Sequence, residues 1–173
     1  MKKYNIAVVG ASGNVGREIL NILNFRSFPI QELHAIASSK SEGQKIVYGN
    51  DKETVIENLE KFDFKNVDIV FSSAGSEVSK RFIPKAVKSG AIIIDNTSCF
   101  RMHKDVPLIV PEVNLEDLKN FKKKKIIANP NCSTIQMVMA LKPIHDLFEI
   151  KKVVVSTYQS TSGAGKEAMD ELF

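Results

Sequence analysis

The strongest constraint on the fold of this chain is a repeated switch between two periodicities. Short apolar, β-branched runs at Tyr4–Val9, Leu33–Ala37, Val67–Phe71, Ala91–Ile94 and Ile126–Ala128 alternate with stretches of helical spacing. Strands that read as continuous apolar runs are buried on both faces, and helices between them supply the cover. The expected class is therefore α/β, with a mostly parallel sheet and helices on both faces. The spacing predicts helices over 14–24, with Val15, Ile19, Ile22 and Leu23 on one face, over 77–89, and over 133–147. Gly90 is a plausible stop for the second of these, and Pro84 a potential break within it. Asn114 is expected to cap a short helix running to Phe121.

Other segments are less regular. The polar stretch 38–61 should hold one short strand near Thr54–Glu57. Val153–Tyr158 is expected to be a further strand, followed by Ser162–Gly165 and the start of a helix at Lys166. The expected organisation is a dinucleotide-binding domain over 1–130, then the incomplete start of a second, α+β catalytic and dimerisation domain over 131–173. A length of 173 residues suits one domain and part of another.

Composition narrows the function classes. Hydrophobic residues make up 43% and charged residues 25%, an ordinary globular mixture. No apolar run approaches the roughly 20 residues needed to cross a bilayer, and the N-terminus offers no leader-peptide pattern. A cytoplasmic protein is expected, with no membrane partner. The net charge of +4 is concentrated in Lys122–Lys125, without aromatic or motif support for nucleic-acid binding; the run reads as a solvated loop. Two cysteines make neither a disulfide framework nor a zinc spacing, so no metal site is expected and each cysteine matters only as a thiol.

The first chemical motif is Gly10-Ala11-Ser12-Gly13-Asn14-Val15-Gly16, between a strand and a helix. This is the setting of a Rossmann-like turn: glycines let the backbone approach a pyrophosphate, and the helix N-terminus offers free N–H groups to it. The spacing is GxxGxxG, not the commoner GxGxxG. At the end of the second strand, where an NAD site carries an acidic residue, stand Ser38, Ser39, Lys40 and Ser41. Hydroxyls and a cation suit a 2′-phosphate, so NADP is the expected cofactor.

The second motif is Asn129-Pro130-Asn131-Cys132 at a strand-to-helix junction. A thiolate at a helix N-terminus is stabilised by unpaired N–H groups, and the same groups can hold an oxyanion once sulfur adds to a carbonyl. Cys132 is thus a candidate nucleophile with Asn131 beside it. Cys99 reads as a small buried filler. Arg101, in the same loop, could capture phosphate or carboxylate through its guanidinium fork.

These motifs, with Val110-Pro111-Glu112-Val113-Asn114 and Tyr158-Gln159-Ser160-Thr161-Ser162-Gly163-Ala164-Gly165, occur in an order that resembles the aspartate-semialdehyde dehydrogenases across the whole chain. The resemblance implies a reversible phosphorylating oxidation of L-aspartate 4-semialdehyde to 4-phospho-L-aspartate, used in lysine, methionine and threonine biosynthesis by a homo-oligomeric enzyme. It implies Cys132 as nucleophile and Gln159 as the glutamine orienting the acyl intermediate. Arg101, Asn131, Asn96 and Ser98 would serve substrate and phosphate. Gly10, Ala11, Ser12, Gly13, Asn14, Val15, Ser38, Ser39, Lys40, Ser72, Ala74, Gly75, Gly163 and Gly165 would line the NADP site.

Two residues depart from the pattern: Cys99 replaces a small residue, and Lys40 replaces an arginine, which weakens a bidentate grip on the 2′-phosphate. The chain covers about the first half of the pattern, and none of His34, His103 and His145 matches the family's general-base histidine. Without that base and the substrate clamp, the isolated chain is expected to bind NADP yet turn over poorly, because a general base contributes ~10²–10⁴ in rate. It is also expected to leave apolar surface exposed near its C-terminus. Two other readings stay open: an N-acetyl-glutamyl-phosphate reductase, whose elbow usually carries Gly before Cys, and a non-catalytic NADP-binding module.

Overall fold

A computed structural model describes residues 2–164 and 166–172. Seven strands form one sheet in the order β3-β4-β2-β1-β5-β6-β7. Their ranges are β1 Tyr4–Val9, β2 Ile30–Ala37, β3 Lys45–Tyr48, β4 Lys52–Asn58, β5 Ile69–Ser72, β6 Ile92–Asp95 and β7 Ile126–Ala128. All neighbouring pairs are parallel except β3 with β4. The helices are α1 Asn14–Phe25, α2 Ser76–Lys88, α3 Pro111–Asn114, α4 Cys132–Phe148 and α5 Lys166–Leu172.

β1 lies at the centre because it offers apolar side chains to both faces. Ile6 and Val8 join Leu20 and Leu23 of α1 in one core, while Ala7 and Val9 join Phe82, Ile83 and Ala86 of α2 in the other. The chain steps outward from β1 in opposite directions, to β2 through α1 and, later, from β5 to β6 through α2. Since such crossovers share one hand, the two helices must land on opposite faces. The expected doubly covered parallel sheet is the observed one.

Several expectations need correction. The buried stripe of α1 is Gly16, Leu20 and Leu23, while Val15 and Ile22 are largely exposed. The segment 38–61 holds two strands, not one. They form an antiparallel hairpin in which Ile46 pairs with Thr54, turning through Gly49 and Asp51, both with positive φ. Pro84 sits inside α2 without ending it, on its exposed side. Asn114 caps nothing with its side chain: Oδ1 accepts from the Val110 N–H at 2.9 Å, and 115–123 winds as 3₁₀ turns.

Val153–Tyr158 is not a strand. It has no regular structure, and Val154 and Tyr158 are 83% and 101% exposed. Its β-branched sequence is suited to a sheet, but a strand exists only where a neighbour accepts its backbone hydrogen bonds, and here none does among the described residues. α4 likewise buries no residue fully, although it is rich in Ile, Met, Val and Leu. No helix among the described residues is long and apolar enough to cross a membrane.

Candidate functional site

Because β1, β2, β5, β6 and β7 run parallel, their carboxyl ends share one edge of the sheet. Five of the sequence motifs lie on that edge: Gly10–Val15 after β1, Ser38–Lys40 after β2, Ser72–Gly75 at the end of β5, Asn96–Arg101 after β6, and Asn129–Cys132 after β7. The connections from β1 and β5 leave in opposite directions at the middle of this edge, which is where open α/β sheets form ligand crevices.

The backbone around that crevice is packed to tolerances only glycine allows. Gly10 has φ +89°, and a Cβ there would stand 2.8 Å from the Ser73 carbonyl carbon. A Cβ on Gly16 would run into the Gly10 carbonyl and the Ala11 Cα. The Gly10 and Ala11 N–H groups both donate to the Ile36 carbonyl, at 2.8 and 3.1 Å, and Gly13 N–H donates to the Gly10 carbonyl at 3.0 Å. α1 then begins at Asn14 behind Gly13, with no side chain capping it, so its first N–H groups are left to an incoming acceptor. Asn14 is exposed beside them. A cavity of about 740 Å³ opens here, lined in part by Gly10, Ser12, Gly13, Ser38, Ser73 and Ala74. Ala11 is buried beneath it.

Ser39 and Lys40 lie exposed on a 3₁₀ turn at the rim. The first carboxylate after them, Glu42, accepts from Lys61 Nζ and Asn58 Nδ2, both at 2.9 Å. The Lys61 and Asn58 hydrogen bonds hold its carboxyl below the usual carboxylate range. Leu59, Arg81 and Lys85 also line the cavity and were missed from sequence. The i,i+4 spacing of the two cations on one helix face was the available signal.

At the other end of the edge, Asn131 caps α4: its Oδ1 accepts the Ser133 N–H at 3.0 Å. Cys132 follows as the first helical residue, its thiol exposed. Gln159 comes back from the irregular segment so that its Nε2 donates to Cys132 Sγ at 3.8 Å, and the thiol donates to Asn131 Oδ1 at 3.9 Å. Gly163 closes this return through a 3.0 Å bond from its N–H to the Ser160 carbonyl, and a Cβ there would collide with the Gln159 side chain. Gly165 lies outside the described residues.

Between these two ends sits the 96–101 loop. Arg101 Nε donates to the Asn129 carbonyl at 2.8 Å and Nη2 to the Asn96 carbonyl at 3.1 Å, so the guanidinium bridges the exits of β6 and β7. Ser98 Oγ meets Ser76 Oγ at 2.7 Å, tying the loop to the first turn of α2, which starts at an uncapped Gly75. Cys99 is half-buried, and burial together with the Asp95 charge pushes its thiol up. The three histidines lie apart from the thiol: His34 Nδ1 pairs with Glu57 at 2.8 Å, His145 is exposed in the last turn of α4, and His103 is exposed just after the 96–101 loop, its N–H donating to the Phe100 carbonyl at 3.0 Å.

Sequence reasoning assigned Ser72 to the cofactor site, but Ser72 does not line the cavity and belongs instead to a buried polar chain under the loop that the sequence did not reveal. Ser79, Ser72 and Asp95 are fully buried. Ser72 Oγ and Ser79 Oγ lie 2.7 Å apart, and Asp95 accepts from Thr97 N and Thr97 Oγ1, both at 3.0 Å. Its signal was an aspartate closing a fully apolar strand two residues before a threonine, the spacing of an Asx turn.

The family model described as semialdehyde dehydrogenase, NAD binding domain, matches residues 5–121, and that described as semialdehyde dehydrogenase, dimerisation domain, matches 141–173. The chain belongs to the semialdehyde dehydrogenase family. Aspartate-semialdehyde dehydrogenase of Rickettsia conorii is 58% identical over 172 residues, which are 99% of this chain and 51% of that protein. The crystal structure of aspartate semialdehyde dehydrogenase II from Vibrio cholerae, complexed with ASA, superposes with a TM-score of 0.94 at 48% identity, again over 99% of this chain and 51% of that one. The Candida albicans enzyme with NADP superposes at 0.70 and 28% identity, over 86% of this chain and 48% of that one. The chain spans about half the length of the curated relatives it matches. The family's nicotinamide-cofactor domain thus comprises the glycine loop, the Ser38–Ser41 turn and the Ser72–Gly75 loop of this semialdehyde dehydrogenase sequence.

Proposed function

We propose that this chain carries the cofactor site and the nucleophile of an NADP-dependent aspartate-semialdehyde dehydrogenase, the reversible phosphorylating oxidation of L-aspartate 4-semialdehyde. The observation that carries the reading is the exposed Cys132 thiol at the start of α4 with the Gln159 amide 3.8 Å from sulfur. The residues fit a dinucleotide. The space above Gly10 and Gly16 is closed to side chains, and the uncapped first turn of α1 offers N–H donors to a pyrophosphate. Exposed Ser38, Ser39 and Lys40, with Glu42 held away by Lys61 and Asn58, favour a 2′-phosphate over a bare ribose.

In the oxidative direction the Cys132 thiolate attacks the aldehyde carbon, and the carbonyl oxygen becomes the oxyanion of a thiohemiacetal. The first-turn N–H groups of α4 that the Asn131 cap leaves unengaged, with the Gln159 amide, stabilise that charge. A bound NADP would supply the hydride acceptor for this carbon. A thioester to Cys132 remains, with its acyl oxygen again facing Gln159. Phosphate, received by Arg101 with Asn96, Ser98 and Asn131, attacks the thioester carbon and the thiolate leaves, giving 4-phospho-L-aspartate. Covalent catalysis divides one difficult exchange into two easier ones.

Residues 131–173 would begin the catalytic and dimerisation unit of a homo-oligomer, with 1–130 as the cofactor domain. Free, unpaired thiols such as Cys99 and Cys132 suit a reducing compartment, and on that ground the reading places the protein in the cytoplasm. The test is acylation by the reverse substrate, 4-phospho-L-aspartate. Intact-mass and peptide analysis should show an aspartyl adduct on Cys132 and none in the Cys132→Ser variant. A folded chain that binds NADP but never acylates would support the non-catalytic binding module instead.

A further inference from the structure

The buried carboxylate of Asp95 lies beneath the loop that carries Asn96, Ser98 and Arg101; it hydrogen-bonds to none of them and feels the Arg101 guanidinium only as a nearby charge. Its connections are directional. Oδ1 accepts the Thr97 N–H and Oδ2 the Thr97 hydroxyl, both at 3.0 Å. Thr97 Oγ1 in turn accepts the Cys99 N–H at 3.3 Å. Ser72 also helps to hold the carboxylate, and Ser79 lies 2.7 Å behind Ser72. The side chain therefore sets the first turn of the 96–101 loop and anchors it to β5 and α2.

The backbone of the same residue holds the neighbouring loop. The Asp95 carbonyl accepts the Asn129 N–H at 2.8 Å. Arg101 then closes the arrangement by donating to the carbonyls of Asn96 and Asn129. Two loops, one bearing Arg101 and the other leading to Cys132, are thus fastened at Asp95 and clasped again by Arg101. Moving Asp95 moves both.

From this connectivity we infer that Asp95 is a positioning residue for the phosphate site: through Thr97 and Asn129 it fixes where the Arg101 guanidinium stands relative to the Cys132 elbow. Arg101 spends two of its nitrogens on backbone carbonyls, so its remaining donors point where those carbonyls place them. A loop free to resettle would keep the arginine and lose its direction. The proposal rests on the reading of Arg101 as phosphate receiver. It is distinct from scaffolding, because burial makes the ionised carboxylate a cost to the fold: desolvation pushes Asp95 above the ordinary aspartate range despite its Thr97 and Ser72 hydrogen bonds. A residue there only for stability would be better neutral.

The experiment is a calorimetric titration of the full 173-residue chain with inorganic phosphate, alongside NADP affinity and thermal midpoint. Asp95→Asn and Thr97→Val should each weaken phosphate by about tenfold, equivalent to about 1.4 kcal/mol. NADP affinity should stay within about twofold, a shift of only about 0.4 kcal/mol. Thr97→Ser, which restores the hydroxyl, should recover phosphate binding, and Asp95→Asn should not lower the thermal midpoint. Wild-type phosphate affinity in Asp95→Asn, or a joint fall in phosphate affinity, NADP affinity and midpoint, would overturn the proposal. If Arg101→Ala leaves phosphate affinity unchanged, or the unaltered chain binds no phosphate, the phosphate reading itself fails. If Arg101→Ala weakens phosphate and Asp95→Asn does not, only the positioning role falls.

Discussion

Gly163 and Gln159 are mutually dependent: the Gln159 side chain occupies the space that a Cβ at 163 would need, and only so packed does its amide reach Cys132 Sγ at 3.8 Å. Five residues, Gln159 to Gly163, running into a 3₁₀ turn over Thr161–Ala164, thus hold a donor against the thiol. Gly163→Ala should push the glutamine out and slow Cys132 acylation. Acylation followed by mass spectrometry checks this. Equal rates in both proteins would show that Gly163 does not hold Gln159.

The two thiols should differ in reactivity. Cys132 is exposed, whereas Cys99 is half-buried and its thiol is pushed up by burial and by Asp95. Burial and the neighbouring carboxylate both disfavour the Cys99 thiolate, the form that reacts. Timed iodoacetamide labelling with peptide mapping should therefore modify Cys132 first. Preferential labelling of Cys99 would contradict the assignment.

Asn131 has two roles that substitution can separate. Asn131→Ala removes the cap on Ser133 N–H and should cost about 0.5–2 kcal/mol in chemical denaturation. Asn131→Asp keeps the cap, and so the stability, but places a negative charge beside the sulfur and should slow alkylation. A fast Asn131→Asp thiol would show that its side chain does not influence Cys132.

The glycine turn admits no side chain at position 16. Gly16→Ala forces a Cβ against the Gly10 carbonyl, and backbone cannot yield as a flexible side chain does. A loss of about 1–3 kcal/mol is expected, the usual range for overpacking, together with a loss of NADP affinity measured by titration. A stable Gly16→Ala protein with unaltered affinity would mean the turn is looser than this packing requires.

Acid should act on Asp95 and Glu42 with opposite signs. Asp95 is raised in the folded state, so between its unfolded and folded values the native protein binds more protons, and stability from this group rises as pH falls through that window. The stability advantage of Asp95→Asn over the unaltered chain should therefore shrink on acidification. Glu42 is lowered, so what it contributes is present above its unfolded value and lost as pH falls through the folded one. Thermal melts of Asp95→Asn and Glu42→Gln across pH 3–7 read both, and parallel curves for the two variants would refute the assignment.

The strand runs, the glycine loop and the helix that starts at Cys132 were all legible along the chain, because each is set by local periodicity and by residues such as Gly10 and Asn131 whose chemistry acts on near neighbours. The hairpin of β3 and β4 was half seen. Its Gly49–Asp51 turn was local, but its pairing of Lys45 with Val55 was not. Val153–Tyr158 was misread for the complementary reason: β propensity describes how a side chain fits a sheet, and no pairing partner came with it.

What the sequence determined alone is the class of fold, the place of Cys132 at a strand-to-helix junction and the family pattern. Only the tertiary structure decided that Gln159 meets Cys132, that Arg101 clasps the exits of β6 and β7, and that Asp95 lies beneath both loops. These contacts join residues far apart in the chain or depend on burial, and neither can be read from spacing. They exist because parallel strands bring their carboxyl ends to one edge, and that edge is assembled only when the sheet is.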